Sequence, residues 1–346
     1  MHLDALSLLV TLATTPAAAT ATTVPADSVV LALRAEASAL APLARTALGR
    51  SFLTATEHLP APPARTLFHD SARTRYYTEA EASVLPDTAR ARLVRRALDG
   101  RFFYQTRYGT PLAYLRPLEL VALAGFGKIA RARVLDFGYG TVGHLRLLAS
   151  LGANVTGIEV DPLLRALYAD AGDRDPTGGD RGSVRLLHGR FPAEADVRDA
   201  AGDNYDLVLS KNTLKRGYVH PERPVDPRMT VQLGVSDSAF VSEVFTRLRP
   251  GGWFLIYNLS PAPSPSDQPY KPWADGRCPF PELLLRSAGF EVLAYDRDDS
   301  EAARVMGRAL QWDQGSSPMD LEHDLFGGYM LARKPLASGS QRVTNP

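Results

Sequence analysis

From residue 132 onward, short apolar runs alternate with amphipathic segments, and this alternation constrains the fold more than any other feature of the 346-residue chain. Runs of this length bounded by glycine and polar turns are typical of buried strands, and the segments between them have apolar residues at helical spacing. The pattern predicts an α/β fold with a mostly parallel sheet and crossover helices over residues 116–335. The predicted strands are ARVLDF, ANVTGIEV, SVRLLHG, YDLVLS, WFLIYN, EVLAYD and GGYMLARKP.

The N-terminal third has a different pattern. Residues 29–49 place apolar residues at helical spacing, and ARLVRRALDG near residue 91 does the same before a glycine stop. We therefore predict a helical cap over residues 29–115.

Each end of the chain is expected to lie outside the folded part. Residues 1–28 combine a short apolar run with small residues, as a cleaved signal peptide does, but no Lys or Arg occurs before Arg34. The leader is therefore either an export signal or a disordered segment, and its apolar run is too short to span a membrane. Residues 336–346 are expected to be a disordered tail.

Composition narrows the class of partner. The chain has 39 basic and 38 acidic residues, so no net field recruits nucleic acid or an anionic membrane surface. Cys278 is the single cysteine, which excludes an intrachain disulfide, and no Cys/His cluster has metal-site spacing. We expect a small-molecule substrate and no metal, and the oligomeric state stays open.

The stretch VLDFGYGTVGH, residues 134–144, contains a glycine motif directly after a predicted strand. Gly138, Gly140 and Gly143 have the G-x-G-x-x-G spacing, which allows backbone to approach a nucleotide cofactor at a helix N-terminus. Glu159 follows Gly138 by 21 positions and ends the next strand, where a carboxylate can accept both ribose hydroxyls. The glycine spacing and the position of Glu159 are compatible with either a nicotinamide or a sulfonium cofactor.

Four features in order resemble the class I S-adenosylmethionine-dependent methyltransferases over about residues 115–335. They are Asp136 two residues before Gly138, Glu159 ending GIEV, the strand YDLVLS, and the segment LRPGGWFLIYN. The resemblance implies a Rossmann-like seven-stranded sheet with an antiparallel last strand and S-adenosylmethionine as the cofactor. It also implies a carboxylate, Asp136, near the cationic methionyl group, where dinucleotide enzymes usually have an apolar residue.

The cofactor-binding residues that follow from the resemblance are Asp136, Gly138, Tyr139, Gly140, Glu159, Arg190, Phe191 and Ser210. Arg190 and Phe191 stand where the family often has an acidic residue near the adenine, so Phe191 either stacks on the adenine or belongs to the core. The family often has its third glycine at the position of Val142, whereas this chain has Gly143. A nicotinamide-dependent oxidoreductase therefore stays an alternative.

Two loops that follow predicted strands are rich in polar and aromatic residues. We expect the basic loop, residues 211–228, and the proline-rich segment, residues 259–281, to form opposite walls of one acceptor pocket above Gly138 and Gly140, because ligands bind at the carboxyl ends of strands. His220 is a candidate base or a turn residue. The catalytic candidates are Lys211, Asn212 and His220, and the substrate candidates are Tyr108, Asn258, Tyr270, Trp273 and Arg277.

The sequence thus predicts methyl transfer from S-adenosylmethionine to a small polar or anionic acceptor. The alternatives are the NAD(P)-dependent oxidoreductase and a methyltransferase-like protein that binds ligand without catalysis. S-adenosylmethionine is a cytosolic cofactor, which favours a cytoplasmic protein. The signal-like leader, residues 1–28, would instead favour export.

Overall fold

The computed structural model describes residues 26–105, 109–174 and 182–336. The strands are β1 (Arg65–His69), β2 (Tyr76–Thr78), β3 (Val94–Leu98), β4 (Arg133–Phe137), β5 (Asn154–Glu159), β6 (Ser183–His188), β7 (Tyr205–Lys211), β8 (Leu248–Ser260), β9 (Glu291–Asp298) and β10 (Phe326–Arg333).

A seven-stranded sheet with the order β6-β5-β4-β7-β8-β10-β9 carries the glycine motif at the end of β4. The five strands β6, β5, β4, β7 and β8 are parallel to one another, and β10 is antiparallel to both β8 and β9. Each strand predicted from the alternating pattern is present, and the fold is the Rossmann-like methyltransferase fold. In the dinucleotide-binding Rossmann sheet the strands, numbered in chain order, lie in the order 3-2-1-4-5-6, and no antiparallel strand is inserted before the last one.

The helices are α1 (Ala26–Leu40), α2 (Ala47–Thr54), α3 (Glu79–Ser83), α4 (Asp87–Arg90), α5 (Gly100–Tyr104), α6 (Leu115–Leu123), α7 (Gly143–Ser150), α8 (Pro162–Leu167), α9 (Ala195–Ala201), α10 (Arg216–Val219), α11 (Asp237–Arg247), α12 (Glu282–Ser287), α13 (Ser300–Ala309) and α14 (Leu321–Asp324). Within the described ranges, no helix has the length and apolar character needed to cross a membrane.

The sheet separates two apolar cores, because successive side chains of a strand point to opposite faces. On β7, Leu207 and Leu209 pack with α1, α2, α6 and α7, whereas Val208 packs with α11 and α12. Helix α7 lies close to β5 because Gly157 has no side chain: a Cβ there would stand 2.7 Å from the Tyr139 ring and 2.8 Å from Leu145. The first face therefore carries both α7 and the N-terminal region.

The cap contains a small sheet as well as helices. Strands β2, β1 and β3 form a three-stranded sheet in that order, with β3 antiparallel to β1. The helix predicted near residue 91 is therefore wrong: residues 94–98 are strand, and the helix that follows begins at Gly100. The short sequence VRRAL is compatible with the two-residue period of a strand as well as with the helical period. Pairing with β1 gives hydrogen-bond partners to its backbone N–H and C=O groups, so the segment is a strand. Most of the predicted leader and the tail lie outside the described residues.

Candidate functional site

The carboxyl ends of β4, β5, β6 and β7 open into one cavity of about 610 Å³. It lies beside the point where the strand order reverses between β4 and β7, which is where open α/β sheets bind ligands. The cap contributes Arg73 and Tyr76 to it, and residues 227–232 form its far wall. The lining from the sheet and its loops includes Phe137, Gly138, Glu159, Asp161, Arg190, Phe191, Asn212, Thr213 and Tyr218. We call this the glycine-loop cavity.

The turn after β4 requires glycine for steric reasons. Gly138 and Gly140 have φ of +77° and +62°, a region that side chains disfavour. A Cβ on Gly138 would also collide with the side chain of Thr213, whose hydroxyl donates to the Gly138 carbonyl at 3.2 Å. The turn is thus held directly against the loop that follows β7.

Gly143 has a different role from the first two glycines. It begins α7, and a Cβ there would stand 2.9 Å from Pro111 and 3.3 Å from the Tyr104 ring. The third glycine of the motif therefore lets the cap approach the helix.

Glu159 ends β5 with its carboxylate at the cavity, and the side chain is almost wholly buried. Oε1 accepts from the backbone N–H groups of Val160 at 2.8 Å and Asp161 at 3.3 Å, and Oε2 accepts from Gly140 at 3.4 Å. Burial, together with the nearby Asp161 carboxylate, raises the pKa of Glu159 to about 7. These three bonds orient the carboxylate and leave one lone pair, on Oε2, for a ligand hydroxyl.

Arg190 and Phe191 lie after β6, at the end of the cavity beyond Glu159. Arg190 is exposed. Phe191 is 2% exposed and packs edge-on near Phe240, with ring centroids 6.4 Å apart. Phe191 thus belongs to the second core and also lines the cavity, and stacking on an adenine stays a prediction.

Asp136 does not line the glycine-loop cavity and belongs to a buried polar cluster. Its Oδ2 is 2.5 Å from His144 Nε2, and the His144 ring stacks on Tyr114 with centroids 3.6 Å apart. Burial lowers the pKa of His144, although the Asp136 carboxylate opposes this shift. Within the described ranges Asp136 Oδ1 has no hydrogen-bond partner. His144 was missed by sequence reasoning, although its place one residue after Gly143 puts it on the first turn of α7.

Two buried lysines follow β7. Lys211 is 4% exposed, and its Nζ lies 5.3 Å from the centre of the Tyr114 ring. Burial lowers the pKa of Lys211 to about 8, against the opposing effect of Asp136. Lys215 donates to the carbonyls of Leu259 at 2.5 Å and Trp273 at 3.1 Å, and burial together with Lys211 lowers its pKa to about 7.

Several candidates from the sequence join elements of the fold to one another. Ser210 donates to the Phe137 carbonyl at 3.0 Å, and Asn212 Oδ1 accepts from the Leu259 N–H at 2.7 Å. Asn258 Nδ2 donates to the carbonyls of Leu214 and Gly276, both at 2.9 Å. Tyr139 is wholly buried in the first core.

His220 lies on the surface, 2.8 Å from Asp237 Oδ2, and does not line the glycine-loop cavity. Asn212 lines the glycine-loop cavity, whereas Ser210, Asn258, Tyr139 and His220 do not.

The basic loop and the proline-rich segment pack against each other. Arg223 donates to the carbonyls of Ser266 and Gln268 at 3.2 and 3.1 Å, and Arg277 bonds to Glu222 at 2.9 Å. Prolines have no N–H, so this segment leaves carbonyls that the loop's arginines and Lys215 can satisfy.

The prediction that these loops line one pocket above Gly138 and Gly140 is wrong in its placement: Glu222 and Arg223 of the basic loop do share a cavity with the proline-rich segment, but Gly138 and Gly140 do not line it. Tyr270 and Arg277 line a separate cavity of about 630 Å³ beside Ser260 and Gly327, and Trp273 lines neither of the two. Tyr108 lies outside the described residues. Cavity residues that were not among the candidates include Arg73 and Tyr76, which come from a segment without a recognisable motif, and Thr213, which lies in the basic loop.

No protein-family model and no curated protein matches the sequence. Solved structures do match, and among them are S-adenosylmethionine-dependent methyltransferases. One from Aquifex aeolicus is 16% identical over 61% of this chain and 88% of its own, with a TM-score of 0.33. The phosphoethanolamine N-methyltransferase 2 of Haemonchus contortus, in complex with phosphomonomethylethanolamine and S-adenosylhomocysteine, is 15% identical over 70% of this chain and 62% of its own, with a TM-score of 0.37.

The (4+2)-cyclase SpnF is 19% identical over 64% of this chain and 83% of its own, with a TM-score of 0.38. Similarity at this level carries no argument about activity or substrate. The fold assignment rests on the strand order of the chain itself.

Proposed function

We propose that the chain is an S-adenosylmethionine-dependent methyltransferase with a small polar or anionic acceptor. The observation that carries this proposal is the glycine-loop cavity, in which the Gly138 turn and the Glu159 carboxylate meet at the reversal point of the sheet. A nucleoside with two free ribose hydroxyls is the ligand that a carboxylate at the end of the second parallel strand recognises.

The residues present fit the cofactor. Gly138 lines the cavity without a side chain of its own, and Glu159 presents a buried carboxylate to it. When bound, S-adenosylmethionine supplies a methyl group already activated by its sulfonium. The chain's own residues then need to orient the acceptor and exclude water, since a well-oriented pair of reactants gains most of the rate.

The reversed strand β10 favours this cofactor over a nicotinamide. It lies between β8 and β9, antiparallel to both, whereas the plain dinucleotide-binding order continues with parallel strands.

The polar lining favours an anionic acceptor. Arg73, Arg190 and Arg228 all line the glycine-loop cavity, from the cap, the loop after β6 and the far wall. Arg228 also pairs with Asp226, so part of its charge is already balanced. Guanidinium groups on three sides of one cavity suit a carboxylate or phosphate.

A transfer assay with labelled methyl donor tests the acceptor class directly. We expect carboxylate- or phosphate-bearing acceptors to be methylated and matched amines or neutral alcohols not to be. Arg73→Gln should raise the KM for such an acceptor about two- to fivefold without changing the affinity for S-adenosylhomocysteine, which is the loss expected for a solvent-exposed charge contact.

Arg75→Gln is the matched control, because Arg75 is exposed on the same turn and does not line the cavity. Preference for a cationic acceptor, or equal effects of the two substitutions, would contradict the proposed acceptor class.

A further inference from the structure

The glycine-loop cavity has two halves, one on each side of the turn after β4. Glu159 from β5 and Phe191 after β6 line the half in which the proposed function places the nucleoside. The second half, which we call the β7 half, is lined by residues that follow β7: Asn212, Thr213, Tyr218, Pro227, Arg228, Thr230, Val231 and Gln232. Because β4 lies between β5 and β7 in the sheet, the β7 half is the part of the cavity left for the methyl acceptor.

Tyr218 brings a buried hydroxyl to the β7 half. The side chain is 3% exposed and lines the cavity, and in the described part of the chain its hydroxyl has no hydrogen-bond partner. Two neighbouring hydroxyls do have partners: that of Thr213 donates to the Gly138 carbonyl, and that of Thr230 donates to the Pro227 carbonyl at 2.6 Å. A buried hydroxyl without a partner is costly, so it indicates a place where a ligand completes the hydrogen bond.

Backbone contacts fix the position of Tyr218. It lies on α10, where a Cβ on Gly217 would stand 2.0 Å from the Pro272 carbonyl oxygen, so this helix packs directly against the proline-rich segment. The Tyr218 carbonyl accepts from the Val231 N–H at 3.0 Å, which joins α10 to the far wall of the cavity. These contacts hold the residue in place without using its hydroxyl.

The chemistry of this hydroxyl is that of a donor. Burial raises the pKa of Tyr218 well above its ordinary value, so the hydroxyl keeps its proton at neutral pH and does not act as a base there. A hydroxyl donates well to a carboxylate or phosphate oxygen, because a charged acceptor strengthens the hydrogen bond. Arg228 lines the same half and favours the same sign of charge, whereas an ammonium would lie beside a guanidinium.

We propose that the Tyr218 hydroxyl donates a hydrogen bond to the anionic group of the methyl acceptor, which makes Tyr218 a specificity-determining residue of the reaction. This inference rests on the proposed function and adds to it the side chain that recognises the acceptor. Glu159 binds the ribose in the other half of the cavity, so the two residues contact different reactants and can be tested separately.

Small aromatic probes that differ mainly in their polar group test this contact without the natural acceptor. Benzoate and phenyl phosphate carry an anion, whereas benzylamine carries a cation. Calorimetry of the protein saturated with S-adenosylhomocysteine should show binding of both anions and weaker binding of benzylamine. Tyr218→Phe, which removes only the hydroxyl, should weaken the anions about tenfold or more, as expected for a lost hydrogen bond to a charged group. Its affinity for S-adenosylhomocysteine should be unchanged.

Thermal unfolding of the ligand-free protein gives a second readout. Because the hydroxyl is buried without a partner, Tyr218→Phe should leave the melting temperature unchanged or raise it. Removal of a hydroxyl with a structural role would lower the melting temperature instead.

Tyr104→Phe is the matched control. Tyr104 is also buried, but its hydroxyl donates to the Pro60 carbonyl at 2.9 Å and the residue does not line the cavity. This substitution should lower the melting temperature and leave the affinities for both anions unchanged.

Unchanged affinity for the anions in Tyr218→Phe would overturn the role of Tyr218, and so would a lower melting temperature or a parallel loss of S-adenosylhomocysteine binding in this variant. Preference of the unmodified complex for benzylamine, or no binding of either anion, would overturn it as well. Failure of the unmodified protein to bind S-adenosylhomocysteine would instead overturn the proposed function.

Discussion

Ligand binding should depend on pH through the carboxylate of a single residue, Glu159. Its pKa is raised to about 7 by burial, and ribose hydroxyls bond to the ionised form. Binding therefore lowers this pKa, so affinity for S-adenosylhomocysteine should fall as the pH drops below about 7, approaching tenfold per pH unit. Calorimetry between pH of about 5.5 and about 8 measures this slope.

Substitution of Glu159 gives the matching test at neutral pH. Glu159→Ala should weaken the cofactor by about 1–3 kcal/mol and remove the acid limb of the pH profile. Unchanged affinity together with an unchanged pH profile would show that the ribose is bound elsewhere.

Gly138 and Thr213 make a steric pair that unfolding experiments can resolve. Gly138→Ala adds a Cβ that collides with Thr213 and places a side chain at φ of +77°, so the free energy of unfolding should fall by about 2 kcal/mol or more. Thr213→Gly removes the collision but not the backbone strain. In urea unfolding, the double variant should therefore be less destabilised than the sum of the single variants. Strict additivity would mean that the two residues do not touch.

The loops after β7 and β8 form one structural unit because hydrogen bonds join them. Lys215 bonds to the carbonyls of Leu259 and Trp273, and Lys215→Met would leave both without this donor. Because methionine also removes the cost of burying an ammonium, global stability should change little. Amide hydrogen exchange within residues 259–277 should instead become faster.

Lys271→Met is the control for that experiment, since Lys271 lies on the same segment and is only half-buried. Equal exchange in both variants would show that Lys215 does not hold the segment in place.

The sequence predicts the seven strands of the large sheet because each is a short, mostly apolar run bounded by turn residues. It fails for β3, where Arg95 and Arg96 interrupt a run too short to decide between two periods, and pairing with β1 decides instead. The glycine turn and Glu159 were recognisable from spacing alone. The packing of the proline-rich segment on the basic loop was not, because it depends on contacts such as Arg223 to Ser266, which are distant in sequence.

Across the whole molecule, an ion pair between a half-buried arginine and a buried carboxylate joins the cap side to the end of the sheet. Arg116 Nε donates to Asp299 Oδ2 at 2.8 Å, its second nitrogen lies 2.5 Å from Oδ1, and Tyr257 donates to the same carboxylate at 3.1 Å. Arg116→Met leaves Asp299 buried without its cation, so unfolding free energy should fall by about 2–3 kcal/mol. Thermal or urea unfolding measures the loss.

Arg308→Met is the matched control, because Arg308 pairs with Glu322 on the surface and should cost less than about 0.5 kcal/mol. Similar losses for the two arginines would show that the Arg116 pair adds nothing specific to the junction between α6 and the sheet.

The central claim is that the glycine-loop cavity holds S-adenosylmethionine, and a direct binding measurement tests it. Isothermal titration calorimetry of the whole chain with S-adenosylhomocysteine, and in parallel with NAD⁺ and NADH, compares the two cofactor classes without requiring the acceptor. We expect saturable binding of S-adenosylhomocysteine that Glu159→Ala weakens, and no binding of either nicotinamide. Binding of NADH with no response to S-adenosylhomocysteine would contradict it.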